Sequence, residues 1–121
     1  MDVEKTALYL KALGDPKRIQ LLSLIQNGIQ CNCEFSGSLG LQPNLISHHL
    51  RILKEAGLVE IERDPMDSRW IYYTINQAAY AELWDFLNRF LDPALIQPRR
   101  LTCGPINEMM FFAENNLPKA K

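Results

Sequence analysis

LGLQPNLISHHLRILKEAGL, Leu39 to Leu58, contains a helix whose two sides differ in chemistry. Ile46, Leu50 and Leu53 recur at i, i+4 and i+7, so they form one apolar stripe that can be buried. Asn44, Ser47, His48 and Arg51 form a second stripe, polar and suited to base edges; Gln42 and Leu45, near the same end of the helix, complete the candidate base-reading set. Pro43 fits the first helical position, where its missing N–H is not needed, and Gly57 fits the left-handed residue that ends a helix. A merely solvated face would have the same stripe, so the neighbouring segments decide.

Upstream, QCNCEFSG at Gln30 to Gly37 leads into a short helix, and Gly40 makes the turn into the quoted stretch. Helix, tight glycine turn and polar-faced helix is the helix-turn-helix arrangement. Downstream, LVEIER (Leu58 to Arg63) and RWIYYTI (Arg69 to Ile75) have strand composition and are joined by Asp64, Pro65, Met66, Asp67 and Ser68, turn formers except for Met66. A hairpin in this place reads as a wing, with Arg63 and Arg69 near its tip available to phosphates or the minor groove. A hairpin that only covers the core accounts for Val59, Ile61 and Ile71 equally well, but not for the arginines.

Toward the N-terminus, Val3, Ala7 and Leu10, widened by Leu8 and Ala12, predict a first helix over residues 3–13 with that stripe as its buried side. Asp15 and Pro16 cap and open a second helix whose apolar side is Ile19, Leu22 and Ile25 with Leu21 and Leu24; Asn27 and Gly28 stop it. Lys17 and Arg18 in its first turn oppose the helix dipole, which leaves a phosphate contact or an ordinary exposed pair as explanations. Asn76 caps a last helix, Gln77 to Leu91, that is apolar over more than one stripe. Such a helix needs two neighbours, its own core and the same helix of a second subunit. The candidate dimerisation residues are Leu8, Tyr80, Leu83, Trp84, Leu87 and Phe90. Pro93 and Pro98 break the helix. The division is therefore residues 1–92, a winged helix-turn-helix that binds DNA and dimerises, and residues 93–121, a tail carrying Cys103 in which Met109, Met110, Phe111 and Phe112 could pack back onto the body. The fold class is mainly α with a small β-hairpin.

A chain of 121 residues is large enough to bury a core without disulfides or structural metal. Its net charge of −1 does not advertise nucleic acid. Between Gln42 and Ile75, Arg51, Lys54, Arg63 and Arg69 are outnumbered by Glu55, Glu60, Glu62, Asp64 and Asp67, which counts against DNA binding unless the bases cluster on one surface. MDVEKTALYLKALGDPKR at the start has no long uncharged apolar run, so neither a signal peptide nor a membrane span is expected and the chain should stay in the cytoplasm. Three cysteines cannot all pair within one chain and would remain thiols in a reducing compartment. An enzyme is not expected: there is no Gly-rich phosphate loop, and neither histidine has a nucleophile at a recognisable catalytic spacing.

The order of elements, with ALGDPKRIQLLSLI (Ala12 to Ile25), CNCE (Cys31 to Glu34) and LISHHLRILKEAGLV (Leu45 to Val59), resembles the ArsR/SmtB family of winged-helix repressors over about residues 4–91. The resemblance implies a homodimer that sits on double-stranded operator DNA when empty and leaves it when a metal or metalloid ion binds. By position it implies that Ser47, His48 and Arg51 face DNA and that His49 is structural. Gln42 departs from the serine often found at that helix cap.

Cys31 and Cys33 would diverge on a regular helix but can converge at an irregular helix start, where the helix N-terminus is also expected to lower a thiol pKa. In the arsenic-sensing relatives a third cysteine follows in the same helix. Here that position is Ser36, a poor ligand for a soft ion, so the third sulfur should be Cys103. Roughly twelve residues separate Cys103 from the last helix, up to ~40 Å when extended, so reach excludes neither the same subunit nor the other. Three thiolates suit trivalent arsenic or antimony; zinc prefers four ligands. The zinc-sensing branch uses histidines and carboxylates on the last helix, and residues 76–92 contain no histidine. The expected inducer is therefore trivalent arsenic or antimony, with cadmium, lead or zinc as alternatives. A disulfide-based redox repressor and a winged-helix protein-interaction module are the competing functions.

Overall fold

The computed structural model describes residues 2–100; Met1 and residues 101–121, and with them Cys103 and the apolar tail, lie outside the described residues. Two compact units divide between Leu91 and Asp92. The first runs α1 (Val3–Leu13), α2 (Pro16–Gln26), α3 (Asn32–Leu39), α4 (Pro43–Glu55), β1 (Val59–Arg63), β2 (Ile71–Ile75) and α5 (Gln77–Phe90). The described part of the second is exposed and holds one 3-10 turn, Pro93–Leu95, capped by the Asp92 carboxylate, which accepts from the Ala94 N–H at 2.9 Å.

Local chemistry accounts for most boundaries. The Asp15 side chain accepts from the Lys17 N–H at 2.8 Å, satisfying one of the free donors at the start of α2 and holding the Asp15 carboxyl below its usual range. Asn76 caps α5 by accepting from the Ala79 N–H, and its amide donates to the Gly57 carbonyl at 2.9 Å, which ties the start of α5 to the end of α4. Gly57 has φ +88° and Gly40 φ +65°, left-handed values that an L side chain adopts only with strain. These two residues let the chain reverse after α4 and between α3 and α4.

Phe35, Leu21, Ile46, Leu50, Leu53, Leu58 and Val59 are fully buried in one cluster, so α2, α3, α4 and the start of the hairpin share a core. β1 and β2 pair antiparallel with Val59 opposite Ile75 and Arg63 opposite Ile71. The Tyr73 N–H donates to the Gln30 carbonyl at 3.1 Å, which docks β2 onto the segment that enters α3.

Two predicted faces are corrected. In α1 the buried residues are Thr6, Tyr9 and Ala12, whereas Val3, Ala7, Leu8 and Leu10 face outward. Thr6 tolerates burial because its hydroxyl donates to the Asp2 carbonyl at 2.8 Å, and the Tyr9 ring supplies the large apolar surface. In α2, Leu21, Leu22 and Ile25 are buried but Ile19 is exposed. The second strand begins at Ile71, because Arg69 and Trp70 belong to the turn.

Leu53 is 0% exposed and sits at the centre of the shared core. Leu53→Ala should therefore cost about 2–5 kcal/mol, read as a lower urea midpoint with an unchanged slope.

Candidate nucleic-acid interface and thiol cleft

α4 separates its two faces as its periodicity predicts. Ile46, His49, Leu50 and Leu53 are buried, and Gln42, Asn44, Leu45, Ser47, His48 and Arg51 are exposed together on the outside. Gln42 makes no side-chain capping bond, so its amide is not committed to the helix it precedes. Arg51 Nη2 lies 3.1 Å from His48 Nδ1; the guanidinium can only donate, so Nδ1 accepts. His49 faces inward, 3.3 Å from Arg18 Nη1, and burial lowers its pKa, which favours the neutral ring. Arg18 also donates to the Ala12 carbonyl, so this residue joins α1, α2 and α4 internally and is not an exposed phosphate ligand.

The hairpin tip is more ordered than its composition suggests. Asp64 accepts from the N–H groups of Met66 and Asp67 with one carboxylate oxygen and from the Tyr72 hydroxyl, at 2.6 Å, with the other. Both wing arginines have partners. Arg63 donates to the Ser68 carbonyl at 2.9 Å, and Arg69 forms a two-pronged ion pair with Asp67, its shortest contact 2.7 Å. Arg69 is thus exposed but its charge is locally offset, and a phosphate would have to displace Asp67 from a solvent-screened pair.

Cys31 is the extended residue that precedes α3, with φ −103° and ψ 142°, and Cys33 is the second residue within the helix. Both are free thiols, Cys33 exposed and Cys31 half-buried. They line one cleft of about 300 Å³ with Asn32, Arg69, Trp70, Ile71 and Tyr73. The expected fall in thiol pKa is not found at Cys31. Burial pushes it up, the neighbouring Cys33 and Glu34 add to this, and Cys31 caps no N–H that would offset them. The Ser36 hydroxyl donates to the Leu41 carbonyl at 2.7 Å, so this residue, which stands where the resemblance implies a third cysteine in arsenic-sensing relatives, braces the turn between α3 and α4. Among the described residues no three metal-ligating side chains gather, and Cys103 is outside them.

Two further residues carry geometry that the sequence reading missed. Asn32, between the cysteines, donates from its side-chain amide to the Ser47 hydroxyl of α4 at 3.2 Å. Asp64, a turn former by sequence, lies two residues beyond Glu62, the cross-strand partner of Tyr72, and reaches the tyrosine hydroxyl diagonally as a latch. Of the candidate dimerisation residues, Leu83 is 7% exposed and belongs to the chain's own core, so it is not available to a partner. Tyr80 and Leu87 are partly buried against that core. Leu8, Trp84 and Phe90 are 58%, 71% and 65% exposed.

A helix-turn-helix with a wing behind it narrows the comparison with known proteins. Residues 15–60 match the family described as bacterial regulatory protein, arsR family. Over 73 residues the chain is 41% identical to the HTH-type transcriptional regulator MJ1325 of Methanocaldococcus jannaschii, covering 60% of this chain and 79% of that one. The chain belongs to the arsR family. Among solved structures it is similar to a possible transcriptional regulator for arsenical resistance, with 30% identity and a TM-score of 0.62 over 72% of this chain and 88% of that one. It is also similar to a homodimeric winged helix-turn-helix DNA-binding domain from Mycobacterium bovis, with 26% identity and a TM-score of 0.59 over 81% and 90%. Membership of the arsR family makes the chain a transcription regulator with a DNA-binding winged helix-turn-helix. No helix among the described residues is long and apolar enough to cross a membrane.

The Asp64 latch gives a direct check on the wing. Its hydrogen bond and charge push the Tyr72 phenol up to about 12 from 10.0, so the bond stabilises the fold below pH 10 and is lost as pH rises through about 12. Asp64→Ala should bring the Tyr72 transition back toward 10.0 in an ultraviolet phenolate titration.

Proposed function

We propose that the chain represses transcription by holding operator DNA with α4 when empty, and releases it when trivalent arsenic or antimony binds the sulfurs of Cys31, Cys33 and Cys103. The observation that carries this reading is the pair of free cysteines on one cleft at the start of α3, the helix packed against α4. Arsenite enters as the trihydroxide: three S–As bonds replace three O–As bonds, each thiol proton leaves with a hydroxide as water, and no redox step is needed. The pyramidal lone-pair ion suits three soft donors, whereas zinc prefers a fourth ligand. The likeness to a possible transcriptional regulator for arsenical resistance supports the same choice.

In this reading Asn44, Ser47, His48 and Arg51 read base edges, Gln42 and Leu45 approach from the helix N-terminus, and Arg63 and Arg69 meet phosphates once the wing exchanges Ser68 and Asp67 for DNA. A second copy covers Leu8, Trp84 and Phe90, the apolar side chains of this set left most exposed. The homodimeric relative supports that assembly. Two recognition helices then lie about one DNA turn, ~34 Å, apart. Such a repressor works in the cytoplasm on double-stranded DNA, and an ion that closes the thiols around α3 shifts the dimer to a spacing that no longer fits.

The test uses a labelled duplex selected from a random pool, followed by fluorescence anisotropy. Arsenite should weaken binding by about 5- to 150-fold. Cys31→Ser should bind the duplex as wild type and fail to release. Release by peroxide that a thiol reductant reverses, with no response to arsenite, would replace the metalloid by a disulfide switch. Normal release from Cys31→Ser would remove the doublet from the site.

A further inference from the structure

One contact joins the thiol doublet to the polar face of α4. Asn32 stands between Cys31 and Cys33, and its side-chain amide donates to the Ser47 hydroxyl at 3.2 Å. Ser47 lies on the exposed stripe with Asn44, His48 and Arg51. The other end of the same side chain is poorly placed: Asn32 Oδ1 is buried and has no hydrogen-bond partner among the described residues. A buried carbonyl without a donor is costly, so this orientation is held against a penalty that any rotation toward water would relieve. The backbone around it is already half committed, with Cys31 extended and Asn32 the first helical residue.

We propose that Asn32 is the coupling residue of the switch: its hydrogen bond to Ser47 transmits the state of the two flanking thiols to the recognition helix. This rests on the reading of Cys31 and Cys33 as inducer ligands. Drawing two sulfurs that flank one residue onto a single ion turns the peptide units on either side of that residue. The Asn32 amide then swings from Ser47 and Oδ1 gains water, so the bond to α4 breaks as the bonds to the ion form. Ser47, freed on its helix, no longer presents its hydroxyl in the arrangement that fits the operator. The two sites are coupled through one two-state side chain whose equilibrium both ion and DNA bias, DNA favouring the bonded form.

The experiment compares the full chain with Asn32→Ala, Ser47→Ala and the double variant. Each is measured for arsenite bound per chain and for operator affinity with and without arsenite. Asn32→Ala should bind arsenite with wild-type stoichiometry, while the ratio of operator affinities falls from the wild-type factor to within about threefold of unity. Ser47→Ala should lose the same coupling whatever it does to basal affinity, and the double variant should lose no more than either single one. A wild-type ratio in Asn32→Ala, or additive losses in the double variant, would overturn the coupling role while leaving the inducer site standing. A wild-type chain that binds arsenite without releasing DNA, or does not bind it, overturns both.

Discussion

The packing of α3 on α4 is the constraint on which the rest depends. Phe35 on α3 and Ile46, Leu50 and Leu53 on α4 are buried in one core, and Gly40, in the left-handed region at φ +65°, lets the chain turn tightly enough to bring them together. Ser36 closes the same turn by donating to the Leu41 carbonyl. With its inner side committed to that core, α4 must present Asn44, Ser47, His48 and Arg51 outward. The start of α3 must then lie beside α4, so the thiol doublet and the polar stripe are neighbours by construction. The two helices share a buried core, and Asn32 to Ser47 adds a small polar contact between them at its edge.

Electrostatics plays a smaller part than is usual for a DNA-binding chain. The net charge is −1, and the wing's two arginines are partly offset by Asp67 and by the Ser68 carbonyl. Attraction to the phosphate backbone is therefore not supplied by bulk charge. In the proposed reading it comes from placement: a wing whose tip is held in shape by Asp64, and a helix whose polar side chains share one exposed face. That ordering limits the entropy lost on binding.

Much of this was legible in the residues. Asp15, Pro16, Pro43, Asn76, Gly40 and Gly57 each mark a boundary through the chemistry of caps and left-handed turns, and the elements follow from them. Faces were less legible than elements. In α1 the apolar spacing of Val3, Ala7 and Leu10 is real, but the chain buries Thr6, Tyr9 and Ala12, because a threonine hydroxyl bonded to its own helix and a tyrosine ring serve a core as well as aliphatic side chains do. Periodicity could not separate the α5 residues that fill the core, such as Leu83, from those left outside, such as Trp84, since both stripes are apolar. The two small polar devices, Asn32 on Ser47 and Asp64 under Tyr72, join residues 15 and 8 positions apart, and no local pattern announces them. The helix start alone predicts a lowered thiol at Cys31, but burial, with Cys33 and Glu34 close by, raises it.

The amide spectrum of isotope-labelled protein during an arsenite titration tests the central claim most directly. If the inducer acts at the start of α3 and is felt by α4, the resonances of Cys31, Asn32 and Cys33 should shift together with that of Ser47, saturating at one ion per chain, while the core signals of Leu21 and Leu83 stay in place. Shifts confined to α5, or shifts at the doublet that leave Ser47 and the rest of α4 unmoved, would contradict the account.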